Sequence, residues 1–304
     1  MQLIAEQLLN GLQFGLMLFL LAAGLTLVFG IMDLVNLAHG SLYMIGAYLM
    51  ATITAASGSF WIALPLAIVA TALLGLLLER ALIRHLYRRD HLSQVLATFA
   101  LILIADDAVK MIWGPAPVLL NAPAALAGPV ELLPGFFYPA YRLLIIGVGI
   151  GCAALLYWLV AHTRAGMLVR AGASNREMAA VMGVRVSRLF AAVFALGAAL
   201  CAVAGALLGP LLAVEVGMGE NILILALVVV VIGGIGSVRG ALVGALLVGI
   251  VDTAGRAFLP ALLNAVMPLN LAANLGPALA AIAIYLLMAA VLFFRPTGLF
   301  PART

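Results

Sequence analysis

QLLNGLQFGLMLFLLAAGLTLVFGIM, residues 7–32, runs through 26 positions without a charge. As an α-helix it would be about 39 Å long, more than the ~30 Å hydrocarbon core of a bilayer. Its apolar residues are continuous, whereas a membrane β-strand alternates over about ten residues. In lipid every backbone polar group has to be satisfied within the structure, which leaves helices or closed barrels. This stretch therefore reads as a membrane helix. Its flanks lack a basic leader and a small-residue cleavage site, so it is expected to be retained rather than cleaved.

The same texture fills the chain. Of 304 residues, 66% are hydrophobic and 9% charged, against about 25% charged in soluble domains. No soluble core of this length could hide that much apolar surface. Further apolar runs are Leu34–Leu78, split by a turn at Ala56–Phe60, then Leu92–Trp113, Leu143–Ala161 and Leu189–Val214. Asn221–Val238, Gly240–Leu259 and Ala273–Phe294 complete the set. The expectation is an all-α, polytopic membrane helical bundle of about nine transmembrane segments, eight to ten if some are broken or re-entrant. Cys152 and Cys201 lie inside apolar runs and read as small hydrophobic residues.

Charge orients the bundle. Loops 79–91 and 162–188, the Arg239 turn and the C-terminal tail hold 12 of the 15 Lys and Arg residues. The positive-inside bias makes that side cytoplasmic, with the N-terminus outside and the C-terminus inside. Loop 114–141 carries six of the 13 prolines and is expected to form an ordered outer cap. Glycines recur four apart at Gly197, Gly205 and Gly209 (with Cys201 between) and at Gly236, Gly240 and Gly244. Such stripes serve close helix packing.

The largest polar insertion is HTRAGMLVRAGASNREMAAVMGVRVSRL, residues 162–189, with five arginines and one acid, Glu177. Ser174 or Asn175 can cap a short helix over Arg176–Met182, with Gly183 as its stop. Such a surface helix could transmit force to a soluble partner, or the loop could simply fix topology.

Within it, EMAAVMG (Glu177–Gly183) resembles the EAA coupling motif of ABC importer permeases, with Met178 departing at the second position. The remaining motifs point the same way. GLTLVFGIMDLVNLAHGSLYMIGAY (Gly24–Tyr48), LLLERALIRHLYRRD (76–90), VVVVIGGIGSVRGALVGALLVGI (Val228–Ile250) and FRPTGLF (Phe294–Phe300) resemble signatures of the branched-chain amino acid permease family, LivH type, in the same order. In GENILILALVVVV, relatives often carry a lysine that this chain lacks. The resemblance implies one permease domain over residues 1–304, half of a translocation path for branched-chain or related amino acids, in the inner membrane. It implies a second homologous permease, two ABC ATPase subunits and a periplasmic solute-binding protein as partners, with no role for nucleic acid. Coupling to the ATPase would fall to Arg176, Glu177, Met178, Ala179, Ala180 and Gly183.

The chain is not expected to be an enzyme. A phosphate-cradling P-loop requires G-x-x-x-x-G-K-[ST], and Lys110 is the single lysine. ATP and Mg would be bound by partner subunits, and no cofactor or metal by this chain. Among the histidines, His39 alone lies well inside an apolar run, and no H-x-x-x-H pattern occurs.

Polar residues at membrane depth are costly and often functional. Asp33, Asn36 and His39 are spaced three apart, as on one helical face, followed by Gly40 and Ser41, where a new helix could begin. Asn36, His39 and Ser41 are candidates for the translocation path, where a helix start could face a substrate carboxylate. The alternative is a hydrogen-bonded cluster between helices. Asp252 and Arg256, four apart, suit an ion pair serving as a gate or as a lock between helices. Asp106 with Lys110 reads similarly. Glu215 and Glu220 flank an outer connection and could contact a basic binding protein. A proton-coupled secondary carrier using Asp33 and Asp252 is the rival reading.

Overall fold

The computed structural model describes residues 2–34, 36–87 and 89–300, with Arg176 described by its backbone alone. It is a helical bundle with one small β-hairpin. In chain order the helices are α1 (Gln2–Met32), α2 (His39–Ser57), α3 (Phe60–Leu86), α4 (His91–Trp113) and α5 (Ala140–His162). Then come α6 (Arg164–Ser174), α7 (Arg176–Val181), α8 (Val186–Leu208), α9 (Met218–Gly233), α10 (Val238–Leu263) and α11 (Leu269–Phe294). Among the described residues, six helices are long and apolar enough to cross a bilayer: α1, α3, α5, α8, α10 and α11. α9 is shorter and equally apolar.

The centre is made by α1 and α8, the two most enclosed of the long helices. α1 packs against α8, α9 and α10, while α8 packs against α1, α2 and α3. α2 contacts α3, α8 and α9, and α9 contacts α10, α1 and α2. Exchanging α1–α3 for α8–α10 therefore leaves the packing pattern unchanged, which is the signature of an internal structural repeat. The two triplets run in opposite directions. The first third of α1 and the last turn of α8 sit at the same end of the molecule, because Asn10 and the Leu207 carbonyl both bond the 129–142 region. Inverted repeats of this kind are a common plan for membrane transporters.

Glycine makes the crossings possible. A Cβ on Gly24 would lie 3.0 Å from the Cα of Gly197, and one on Gly46 would lie 2.6 Å from the Cα of Ala202. Gly40 and Gly219 touch backbone to backbone, each blocking the other's Cβ position. The stripes read from sequence are thus packing surfaces, as small-residue spacing favours in lipid.

The 114–141 loop carries structure that apolar patterning did not predict. β1 (Pro129–Leu133) and β2 (Phe136–Pro139) pair antiparallel, with Val130 opposite Tyr138. Gly135 turns the hairpin at φ +79°, and its N–H donates to Glu131 Oε1 at 2.8 Å. The hairpin is pinned to α1 by Tyr138 and Arg142, which both donate to Asn10 Oδ1. A reciprocal backbone pair, Val118 with Val214, ties the loop to the α8–α9 connection. At the other end, Leu299 and Phe300 donate to the carbonyls of Ile232 and Gly233. Gly234 and Gly298, both at positive φ, meet there. That contact gives the closing FRPTGLF segment its role as a brace on the end of α9.

Candidate functional site at the meeting of two helix starts

α1 ends at Met32, and Asp33 adopts φ +51° on the surface. The expected helical face of Asp33, Asn36 and His39 is therefore absent. A short non-helical link intervenes, and Asp33 points away from the other two. The chain then doubles back and α2 starts at His39. This start lies beside Gly24, 14 residues or about 21 Å along α1 from the hairpin-bonded Asn10. α9 starts at Met218, after a connection that also turns inward from the hairpin end. The run expected to span up to Val214 thus ends at Leu208. Gly40 and Gly219 bring the two starts into contact. Each helix start leaves backbone N–H groups without helical partners and carries partial positive charge.

The three pathway candidates cluster here and are buried. Asn36 Nδ2 lies 2.9 Å from His39 Nδ1, and Asn36 Oδ1 accepts from the Ala38 N–H at 3.1 Å. Donation by the amide leaves Nδ1 as acceptor and puts the ring proton on Nε2. His39 is wedged between Gly24 and Gly197, with Phe194 edge-on at 5.7 Å. His39 Nε2 and Ser41 Oγ are buried without a hydrogen-bond partner. Unsatisfied buried polar atoms cost about 1–3 kcal/mol each, and these two stand within the first turn of α2.

The short helix expected over Arg176–Met182 forms over Arg176–Val181. Asn175 is the cap, with its Oδ1 accepting from the Met178 N–H at 2.9 Å. Gly183 stops the helix at φ +87°. Ala179 is buried, while Glu177, Met178, Ala180 and Gly183 are exposed, as are the apolar Val181 (82%) and Met182 (78%). The helix before it, α6, was not anticipated. Thr163 caps it by accepting from the Gly166 N–H, and Gly166 lets it turn tightly against the α5 carbonyls.

Asp252 and Arg256 do form an ion pair, 2.8 Å apart, but along α10 alone, so it locks no second helix. Lys110 pairs with Asp107 at 3.1 Å rather than with Asp106. Asp106 is half-buried, with the Glu220 carboxyl among the charges near it. Glu215 and Glu220 are both exposed.

The chain is 30% identical over 308 residues to the high-affinity branched-chain amino acid transport system permease protein BraD of Pseudomonas aeruginosa, covering 97% of this chain and 94% of the relative. Against the LivH permease protein of Escherichia coli K12 it is 30% identical over 274 residues, 84% of this chain and 86% of the relative. A shorter likeness, 37% over 103 residues and 32% of this chain, is to the fructose import permease protein FrcC of Rhizobium meliloti. No solved structure matches. The family model described as branched-chain amino acid transport system / permease component matches residues 7–293, and the chain, a multi-pass membrane protein, belongs to that family.

Proposed function

We propose that this chain is the membrane-spanning permease subunit of a binding-protein-dependent ABC importer of the inner membrane, forming half of a path for branched-chain or related amino acids. The observation that carries this reading is α7. It is a capped helix with exposed Met178, Val181 and Met182, presented on the arginine-rich side of the bundle. An exposed apolar tip on a short rigid helix is suited to a groove on a soluble partner. Two ABC ATPase subunits would supply that groove and bind the ATP and Mg, and this chain would bind neither. A second homologous permease and a periplasmic binding protein would complete the complex.

On this reading the chain crosses nine times, with α2, α4 and α9 joining the six longer helices. The N-terminus and hairpin lie outside and the C-terminus lies in the cytoplasm, as the arginine distribution favours. The two helix starts at Gly40 and Gly219 lie in the path. Asn36, His39 and Ser41 would meet the substrate there when closure of the ATPases pushes on α7 and opens the centre. Glu215, on the outer connection, is offered as a docking point for the binding protein, whereas Glu220 stands beside Gly219 at the inward-turned start of α9. The branched-chain cargo is supported by the relatives BraD and LivH, and selectivity would lie mostly with the binding protein.

A proton-coupled carrier would need a free buried acid. Asp33 is exposed and Asp252 is paired, so neither supports that mechanism.

The test is to isolate the tagged chain from its native membrane in mild detergent and identify what accompanies it. A second permease and two ATPase chains are expected. A lone chain that transports on a proton gradient without ATP would overturn the proposal.

A further inference from the structure

α3 and α8 touch most closely where a Cβ on Gly75 would lie 2.5 Å from the Ala198 Cβ. From there toward the arginine-rich end they leave a furrow of about 470 Å³. Its two walls are stripes of helical spacing. Leu76, Arg80 and Arg84 come from α3, and Arg188, Ala191 and Ala195 from α8. Alanine keeps the α8 wall low, so no side chain of that helix fills the space. The deep part is apolar and the mouth is ringed by three guanidinium groups.

The mouth carries uncompensated positive charge. Glu79 is fully buried and already committed. It accepts from Tyr87 Oη at 2.7 Å and pairs with Arg84 at 3.3 Å. Tyr87 in turn stands edge-on to Phe190 of α8, 5.2 Å between ring centres, which braces the mouth open. Arg80 and Arg188 have no acidic partner among the described residues. The adjoining face of α3 presents exposed Leu73 and Leu77, a surface suited to lipid. Arg188 also borders the next cavity, beside Met182 and Gly183, which places the mouth at the root of α7.

We propose that this furrow binds an anionic phospholipid of the cytoplasmic leaflet, its phosphate held by Arg80 and Arg188 and an acyl chain lying along Leu76, Ala191 and Ala195. Basic pockets between membrane helices on the cytoplasmic side suit anionic headgroups. Arginine matches phosphate geometry better than lysine does. A furrow walled by leucine and alanine is suited to a hydrocarbon chain. The proposal does not depend on what the protein transports.

The test uses the complex as isolated in detergent, titrated with phosphatidylglycerol or phosphatidylcholine and read by native mass spectrometry. Wild type should retain phosphatidylglycerol preferentially. The double variant R80Q/R188Q, which leaves the Arg84–Glu79 pair in place, should weaken that binding about 5-fold per arginine, or ~30-fold together. Ala195→Leu, which fills the furrow without touching charge, should weaken it too and keeps the test open if the arginine variant fails to fold. Unchanged binding in Ala195→Leu would reduce the effect to surface charge and overturn the proposal. Full displacement by millimolar inorganic phosphate would make it a free-anion site and overturn it likewise. Absence of bound phosphatidylglycerol from the intact complex would overturn it as well, because the furrow would then be closed by a partner subunit.

Discussion

Replacing Gly46 with alanine adds one methyl group to α2 where it crosses α8. The new Cβ would lie 2.6 Å from Ala202 Cα, 3.0 Å from Ala202 Cβ and 3.4 Å from Ala202 O. Carbon atoms rest at about 3.5–4.0 Å, so the helices would have to part by roughly 1 Å, and the obstacle is backbone that cannot rotate away. A gap of that size forfeits up to about half of the dispersion well for each contact it opens. Overpacking costs typically 1–3 kcal/mol, and a backbone obstacle puts this site near about 3. Alanine regains about 0.5–1 kcal/mol of helix propensity, leaving a net loss of about 2 kcal/mol. Gly151→Ala is the control, since nothing lies within 4 Å of its Cβ position; it should gain that propensity. The two variants should therefore differ by about 3 kcal/mol, or ~6–12 °C in Tm at about 2–4 °C per kcal/mol. The assay is thermal unfolding of each purified variant in one detergent. If G46A melts within a degree or two of G151A, the described α2–α8 contact is wrong.

Met178→Asp places a charge on the exposed tip of α7 and should weaken association with the ATPase at least about tenfold, as about 1.4 kcal/mol would. The chain's own melting should stay unchanged, and co-purification checks it. Asn36→Ala and His39→Ala should abolish uptake while the complex still assembles; Asn36→Ala should also cost about 1 kcal/mol of stability through its lost hydrogen bonds. Normal uptake in both would remove them from the path. Glu215→Lys should raise the KM for loaded binding protein. Glu220→Lys gains Asp106 as a partner, so it should stabilise the α4–α9 contact by a few tenths to about 1 kcal/mol. Equal melting of wild type and E220K would argue against the carboxyl contact.

The membrane class, the apolar runs, the arginine-rich loops and the capped short helix α7 could be read from the chain, because each rests on local chemistry. Continuous apolar residues demand internal backbone bonding wherever they sit. Asn175 and Gly183 act on neighbours three residues away or on their own backbone. The Asp252–Arg256 pair was readable for the same reason, since i,i+4 spacing is fixed by the helix itself.

What the sequence left open depends on distance. Hydropathy treats 189–214 and 221–238 as plain spans, because an apolar segment that turns back into the core has the composition of one that crosses. Asp33, Asn36 and His39 looked like one face, but Asp33 adopts a left-handed conformation and the chain reverses. Lys110 had Asp106 and Asp107 both within reach by spacing, and the structure pairs it with Asp107. The antiparallel triplets, the contact of Gly40 with Gly219 and the arginine-mouthed furrow between α3 and α8 join residues over a hundred positions apart. Apolar periodicity says which face of a helix is buried, not against which partner. The sequence by itself determined the solvent, the apolar runs and the loops that carry most of the arginines. The tertiary structure decided which glycines meet, because only backbone approach selects among many similar apolar surfaces, and that choice placed His39 and the unpartnered Ser41 at the centre.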